Sequence, residues 1–138
     1  MNHMGRGRFK AYSAGSHPTG KVNPYAIETL RSMNFSVEGL RSKAWDEFAE
    51  PGAPQMDFIF TVCDSAAGET CPVWLGHPVT AHWGIEDPAH IKDPDEARRQ
   101  FKAAALTLMR RIELFTALPF DKLDDMALRE KLKTIGKS

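Results

Sequence analysis

Two cysteines and one aspartate carry the chemistry this chain has to offer. Cys63 closes an apolar run, Phe58-Ile59-Phe60-Thr61-Val62-Cys63, and Cys71-Pro72 follows a short polar loop, Asp64 to Thr70. Further on comes His82-Trp83-Gly84-Ile85-Glu86-Asp87-Pro88. Thiolates are nucleophiles, and two thiols on one flexible loop can close reversibly when their Cα atoms come within about 7 Å. A carboxyl at a strand's C-terminal edge can serve as a general acid. A dithiol at one strand end and an acid-bearing loop after it are the parts of a redox or phosphoryl-type site.

Each residue also has a plainer reading. Cys63 suits a small buried hydrophobe at a strand end. Cys71 is harder to dismiss in that way, because its loop carries Gly68, Glu69 and Thr70. A metal site built from Cys63, Cys71, His77 and His82 is a further reading; the gap between the cysteines is wider than the tight spacing of structural zinc sites, which weighs against it. Asp87-Pro88 is a turn-initiating pair in its own right. The acid reading is preferred because ligand sites of open α/β sheets form at the carboxyl ends of strands, where both features fall. Among the rest, His17 reads as a solvated loop residue and His82 as a hydrogen-bonded packing residue. Arg98-Arg99 and Arg110-Arg111 are expected mostly on the wet face of a helix. Trp45 and Trp74 are expected in the core or at a site's rim.

The elements that must position these residues follow from patterning. Phe9 to Ser13 reads as a short strand, ended by Ala14-Gly15, and Gly15 to Gly20 as a loop. Asn23-Pro24 opens a helix whose apolar residues are Ala26, Ile27, Leu30 and Met33, stopping near Asn34. A short helix is expected over Ala44 to Ala49. Asp57 to Val62, rich in aromatic and β-branched residues, has the length of a strand buried on both faces. Asp64 to His77 is a long loop, the kind that is usually functional. Val79 to Trp83 reads as a last short strand. Asp93-Pro94 opens the longest helix, to about Ala117, with a stripe of Ala97, Phe101, Ala104, Leu108, Ile112 and Phe115. A final amphipathic helix runs from about Leu123 to Lys133, with Leu123, Met126, Ala127 and Glu130-Leu132 in its pattern and Gly136 as its stop. Strands alternating with helices imply an α/β fold, a three-layer sandwich with a mainly parallel sheet.

The 138 residues are expected to form a single domain. Lys and Arg together number 18, as do Asp and Glu, so no charge footprint points to nucleic acid or a membrane surface. No apolar run reaches the roughly 18 residues of a membrane span. The first residues, Met1-Asn2-His3-Met4-Gly5-Arg6-Gly7-Arg8, do not read as a signal peptide, so a cytoplasmic location is expected. Two cysteines in that reducing compartment point to catalysis or metal binding more than to structure.

Four stretches resemble the arsenate reductases built on the low-molecular-weight protein tyrosine phosphatase fold: Tyr12-Ser13-Ala14-Gly15; Val22-Asn23-Pro24 with Ala26-Ile27; Thr61-Val62-Cys63 with Cys71-Pro72; and His82 through Asp87-Pro88-Ala89. The resemblance runs from Phe9 to about Phe115. It implies a relay in which a first cysteine, in a Cys-x5-Arg loop, attacks arsenate. The residue at Cys63 then attacks that cysteine and releases arsenite. The residue at Cys71 attacks in turn and leaves a Cys63–Cys71 disulfide. Asp87 is implied as the general acid, and thioredoxin or a glutaredoxin system as electron donor, with no cofactor and no resident metal.

The chain departs from that pattern in three respects. The family's first strand and its Cys-x5-Arg loop should precede Gly5 and do not occur in the sequence, so the resemblance is to an N-terminally truncated domain, and the chain alone is expected to be inactive. The Cys63 to Cys71 gap is one residue longer than in familiar thioredoxin-coupled members, which leaves the donor open. Lys43 stands where some members place a potassium-binding Asp, which predicts no potassium site. Exposed sheet edges are expected to favour self-association. Two other readings compete: a phosphotyrosine or small phosphate-ester phosphatase of the same fold, against which Cys71 argues, and a non-enzymatic thiol or metal-binding module.

Overall fold

The computed structural model of the protein describes residues 1, 5, 7–15, 20–62 and 78–138. The first helix, α1 (Pro24–Ser32), begins as its sequence suggests: the Asn23 side chain accepts from the Tyr25 amide at 2.9 Å, and Pro24 needs no amide partner of its own. It ends in a Schellman turn. Asn34 takes φ 64°, the Phe35 amide donates to Leu30 at 2.9 Å, and the Asn34 amide donates to Arg31 at 3.0 Å. Asparagine tolerates that left-handed backbone better than most residues, which is why the helix stops there.

Strands β1 (Phe58–Thr61) and β2 (Val79–His82) pair in parallel, with Phe58 opposite Val79 and Thr61 opposite His82. The two-residue period of a strand puts Phe58 and Phe60 on one face. That face meets the helices. Helix α2 (Pro94–Thr116) is capped by the Asp93 carboxylate on the Glu96 amide at 2.9 Å, and α3 (Asp125–Ile135) by Asp124 on Ala127 at 2.8 Å. Phe115 of α2 sits edge-on to both Phe58 and Phe60, with centroids 5.1 and 5.2 Å away. From α3, Leu128, Leu132 and Ile135 close over Trp83 at the end of β2. Burial of such side chains supplies about 1.5–3 kcal/mol each. Helix α1 docks on the start of α2, with Tyr25 against Phe101 and Arg98 bonded to Glu28 at 2.9 Å.

The α/β class and the parallel pairing match the expectation, and the helix at Asp93-Pro94 has nearly the expected bounds. Three local expectations need correction. Residues 9–13 are not a strand. Phe9 instead turns into the aromatic cluster, 5.4 Å from Phe115 and 5.8 Å from Phe120, and Arg8 donates to the Thr116 carbonyl. Tyr12 goes to Phe48 at 5.4 Å, so the two side chains leave in the service of different partners. The nearest thing to a strand here is one parallel bridge, Gly15 to Ala44. The short helix expected over Ala44 to Ala49 is a 3-10 turn, Trp45–Phe48. On α3, Leu132 is buried as expected, but Met126 is 77% exposed, and Leu128 and Ile135 complete the buried stripe in its place.

Gly136 follows α3 for lack of room rather than for unusual backbone: a Cβ there would lie 3.0 Å from the His82 carbonyl oxygen and 3.0 Å from Trp83 Cδ1. This contact and the indole N–H, which donates to the Leu132 carbonyl at 3.0 Å, lock α3 to β2. Replacing Trp83 by Phe removes a buried hydrogen bond and leaves a void. We expect Trp83→Phe to lower the unfolding free energy by about 2–4 kcal/mol, read as a fall in the urea midpoint with little change in slope.

Candidate functional site

Parallel pairing brings the C-terminal ends of β1 and β2 side by side, and the ladder continues past both strands. The Trp83 amide donates to Thr61 at 2.7 Å, and the Ile85 amide donates to Val62 at 2.7 Å. Val62 is the residue bonded to Cys63, and Ile85 lies two before Asp87. The segment carrying the candidate acid is therefore stitched to the last residue before the candidate thiol. Cys63 and Cys71 themselves fall outside the described residues, as do His17, Trp74 and His77.

Asp87 caps a short 3-10 turn, Pro88–His90. Its Oδ1 accepts from the Ala89 amide at 3.0 Å, and its side chain faces solvent. The turn-forming role read from Asp-Pro is thus real. It leaves the carboxylate exposed to solvent. The turn and an acid function are compatible uses of one side chain.

His82 lies directly across the register from Thr61, with Thr61 Oγ1 and His82 Nδ1 2.7 Å apart. Their pairing fastens the imidazole to the sheet face opposite Phe58 and Phe60; the hydrogen bond matches the expectation, but His82 is exposed rather than packed. Among the described residues no group of three His, Cys, Asp or Glu side chains is gathered to hold a metal ion. The Lys43 ammonium donates to the Arg41 carbonyl at 3.4 Å. On the surface near it, Arg41 and Glu47 pair, the hydrogen bond from Arg41 holding the Glu47 carboxyl below its ordinary range.

The residue that sequence reasoning missed is Arg111. Arg110 is exposed, as expected, but Arg111 is only 6% exposed. Its Nη1 donates to the Trp83 carbonyl at 2.9 Å and to the Gly84 carbonyl at 3.3 Å, and its Nη2 to the Ser138 carbonyl at 3.3 Å. Its Nε is buried with no partner among the described residues. A signal for this existed. Ala97, Phe101, Ala104, Leu108 and Phe115 recur at alternating steps of four and three, and Arg111 occupies the step between Leu108 and Phe115. An arginine in an apolar stripe is either an exposed interruption or a buried clamp, and three carbonyl acceptors make it a clamp.

Comparison with known proteins bears on what this arrangement does. A family model for low molecular weight phosphotyrosine protein phosphatase matches residues 1–123. The arsenate reductase of Oceanobacillus iheyensis is 32% identical over 87 residues, 63% of this chain and 59% of that protein. The arsenate reductase of Bacillus subtilis is 30% identical over 93 residues, 67% of this chain and 63% of that protein. That of Halalkalibacterium halodurans is 30% identical over 105 residues, 75% of this chain and 72% of that protein. The chain spans less than two thirds of the length of the first two relatives.

Because Asp87 is exposed and its one described bond is one that an amide oxygen also accepts, Asp87→Asn is expected to leave stability within about 0.5 kcal/mol of the parent. Thermal melting of the two proteins checks this. A large drop would show that the carboxylate is structural.

Proposed function

Because the chain belongs to the low molecular weight phosphotyrosine protein phosphatase family, we propose that its chemistry is that of an arsenate reductase. The observation that carries this reading is the set of arsenate reductases at 30–36% identity. The pair Cys63 and Cys71 supports it, since an ordinary phosphatase of this family has no need of a second and third thiol. In the proposed relay a first cysteine, held in a Cys-x5-Arg loop, attacks the arsenic atom, and a water leaves with a proton from Asp87. The Cys63 thiolate attacks the sulfur of that first cysteine. The sulfur–arsenic bond breaks, its electron pair stays with arsenic, and arsenite departs. The Cys71 thiolate then attacks Cys63, the first cysteine is released as thiolate, and a Cys63–Cys71 disulfide remains. A thioredoxin or glutaredoxin dithiol returns it to two thiols.

What this chain's own residues contribute in that scheme is the second and third thiol and the acid. No Cys-x5-Arg occurs in the 138 residues, and the amide cradle and nucleophile that stabilise an oxyanion are supplied by that loop. We therefore expect the 138-residue chain by itself to be inactive; we further propose a cytoplasmic location and self-association through the outer edges of β1 and β2. Among the described residues the sheet has only these two strands, and open edges recruit other chains. No helix of the described residues is long and apolar enough to cross a membrane. The family description favours a second reading, a phosphatase acting on phosphotyrosine or a small phosphate ester, with Asp87 protonating the leaving oxygen.

The discriminating assay compares the 138-residue chain with a version extended upstream through a Cys-x5-Arg loop, each given arsenate with a thioredoxin or glutaredoxin system, or an aryl phosphate. The short chain should turn over neither substrate above buffer. The extended one should reduce arsenate, and Asp87→Asn should slow it by about 10²–10⁴-fold, the usual contribution of a general acid. Turnover of the aryl phosphate alone would favour the phosphatase.

The relay can be tested separately in the short chain. Mild oxidation should remove two hydrogens, mapping by mass spectrometry to the peptides that carry Cys63 and Cys71. Two thiols that both still alkylate after oxidation would exclude them as a redox pair.

A further inference from the structure

The described hydrogen bond of Asp87 lies within its own turn, Pro88–His90, so its position is set from two sides: by the long helix that this turn contacts and by the chain that leads to it. That chain is short: Trp83, Gly84, Ile85, Glu86. Two of its amides are held by β1, Trp83 on Thr61 and Ile85 on Val62, both at 2.7 Å. Two of its carbonyls, those of Trp83 and Gly84, are held by Arg111 Nη1 at 2.9 and 3.3 Å. Arg111 is in turn braced from behind, its Nη2 on the C-terminal Ser138 oxygen, and its side chain is buried.

We propose that Arg111 is a positioning residue for the acid loop: its guanidinium fixes the path of Trp83-Gly84 and thereby where Asp87 stands over the strand ends. The meaning of this for catalysis rests on the function proposed above; the positioning itself does not. Arginine suits the task for a stated reason. The planar fork presents several donors at fixed angles, so one group satisfies carbonyls on two consecutive residues and on the C-terminal segment at once. Lysine has the charge but a single nitrogen: it could serve the two loop carbonyls as Nη1 does, but not these and the Ser138 oxygen at once. Glycine at position 84 leaves the loop without a side chain to pack, so the carbonyl bonds carry the restraint there. Nη1 spends its bonds on two neutral carbonyls at the root of the loop, and Nε is unpartnered among the described residues; even with the C-terminal Ser138 oxygen on Nη2, a buried cation is an expensive way to stabilise a core. A methionine or leucine in the stripe would serve packing better. The cation is explained when the loop it holds has a geometry to keep.

The test is amide hydrogen exchange and amide NMR on the 138-residue chain, comparing the parent with Arg111→Lys and Arg111→Met. In Arg111→Met the Ile85 amide should exchange about tenfold to a hundredfold faster than the change seen at the slowest α2 and α3 amides accounts for, the effect of losing a charge-assisted hydrogen bond on a local opening. The Ala89 amide resonance, set by its bond to Asp87, should move as well. Arg111→Lys should show the same pattern at smaller size. If Arg111→Met does not fold, the comparison rests on Arg111→Lys alone. Equal acceleration at every protected amide would mean that Arg111 serves only global stability, and an unchanged Ile85 amide would mean that the strand bonds suffice; either result overturns the proposal. Neither depends on turnover, so an absence of arsenate reduction by the extended protein would refute the proposed function while leaving the exchange pattern intact.

Discussion

Trp83 is bonded in three directions, and most of the described structure hangs from those bonds. Its amide completes the β1–β2 ladder, its carbonyl receives Arg111, and its indole N–H reaches the Leu132 carbonyl. Its ring lies against Phe60 with centroids 4.0 Å apart and meets Phe115 edge-on at 6.0 Å. Tryptophan is the side chain that can do this, because it is large enough to fill the space between sheet and helices while its single donor finds a carbonyl inside. The same residue follows β2 directly and begins the acid loop. Core packing and the placement of the candidate site therefore share one side chain, and a change to either reaches the other.

How much of this was readable from the sequence depends on range. Asn23, Asp93 and the glycine and proline signals act on backbone a few residues away, and the helices start where they said. The apolar run at Phe58 to Thr61 and the short one at Val79 to His82 form strands because each has the composition and length for it. Phe9 to Ser13 has a similar look and is not a strand. What decides there is distant: Phe9 is claimed by Phe115 and Phe120, more than a hundred residues on, and no local pattern registers that pull. The heptad-like place of Arg111 was visible, but a charged residue in a stripe reads as an interruption until its acceptors are known.

The candidate site divides in the same way. The adjacency of the two strand ends followed from parallel pairing and needed only the recognition of two strands. The turn at Asp87 followed from the Asp-Pro pair. The arginine that holds the loop's root did not follow, because its partners are backbone carbonyls, which every residue has and which leave no mark in a sequence. Main-chain acceptors are the part of a site that residue types do not announce.

The dependence of the aromatic face on α3 has a consequence for synthesis. Translation proceeds at about 5–20 residues per second, and the chain emerges from its N-terminus. Phe58, Phe60, Trp83 and Phe115 are therefore all made before Leu128, Leu132 and Ile135, which cover them. The strands can pair and the long helix can lay Phe115 against Phe58 and Phe60, yet Trp83 is not closed over until α3 arrives. The nascent protein therefore passes through an interval in which part of its aromatic core is uncovered, and the last helix to be made is the one that seals it.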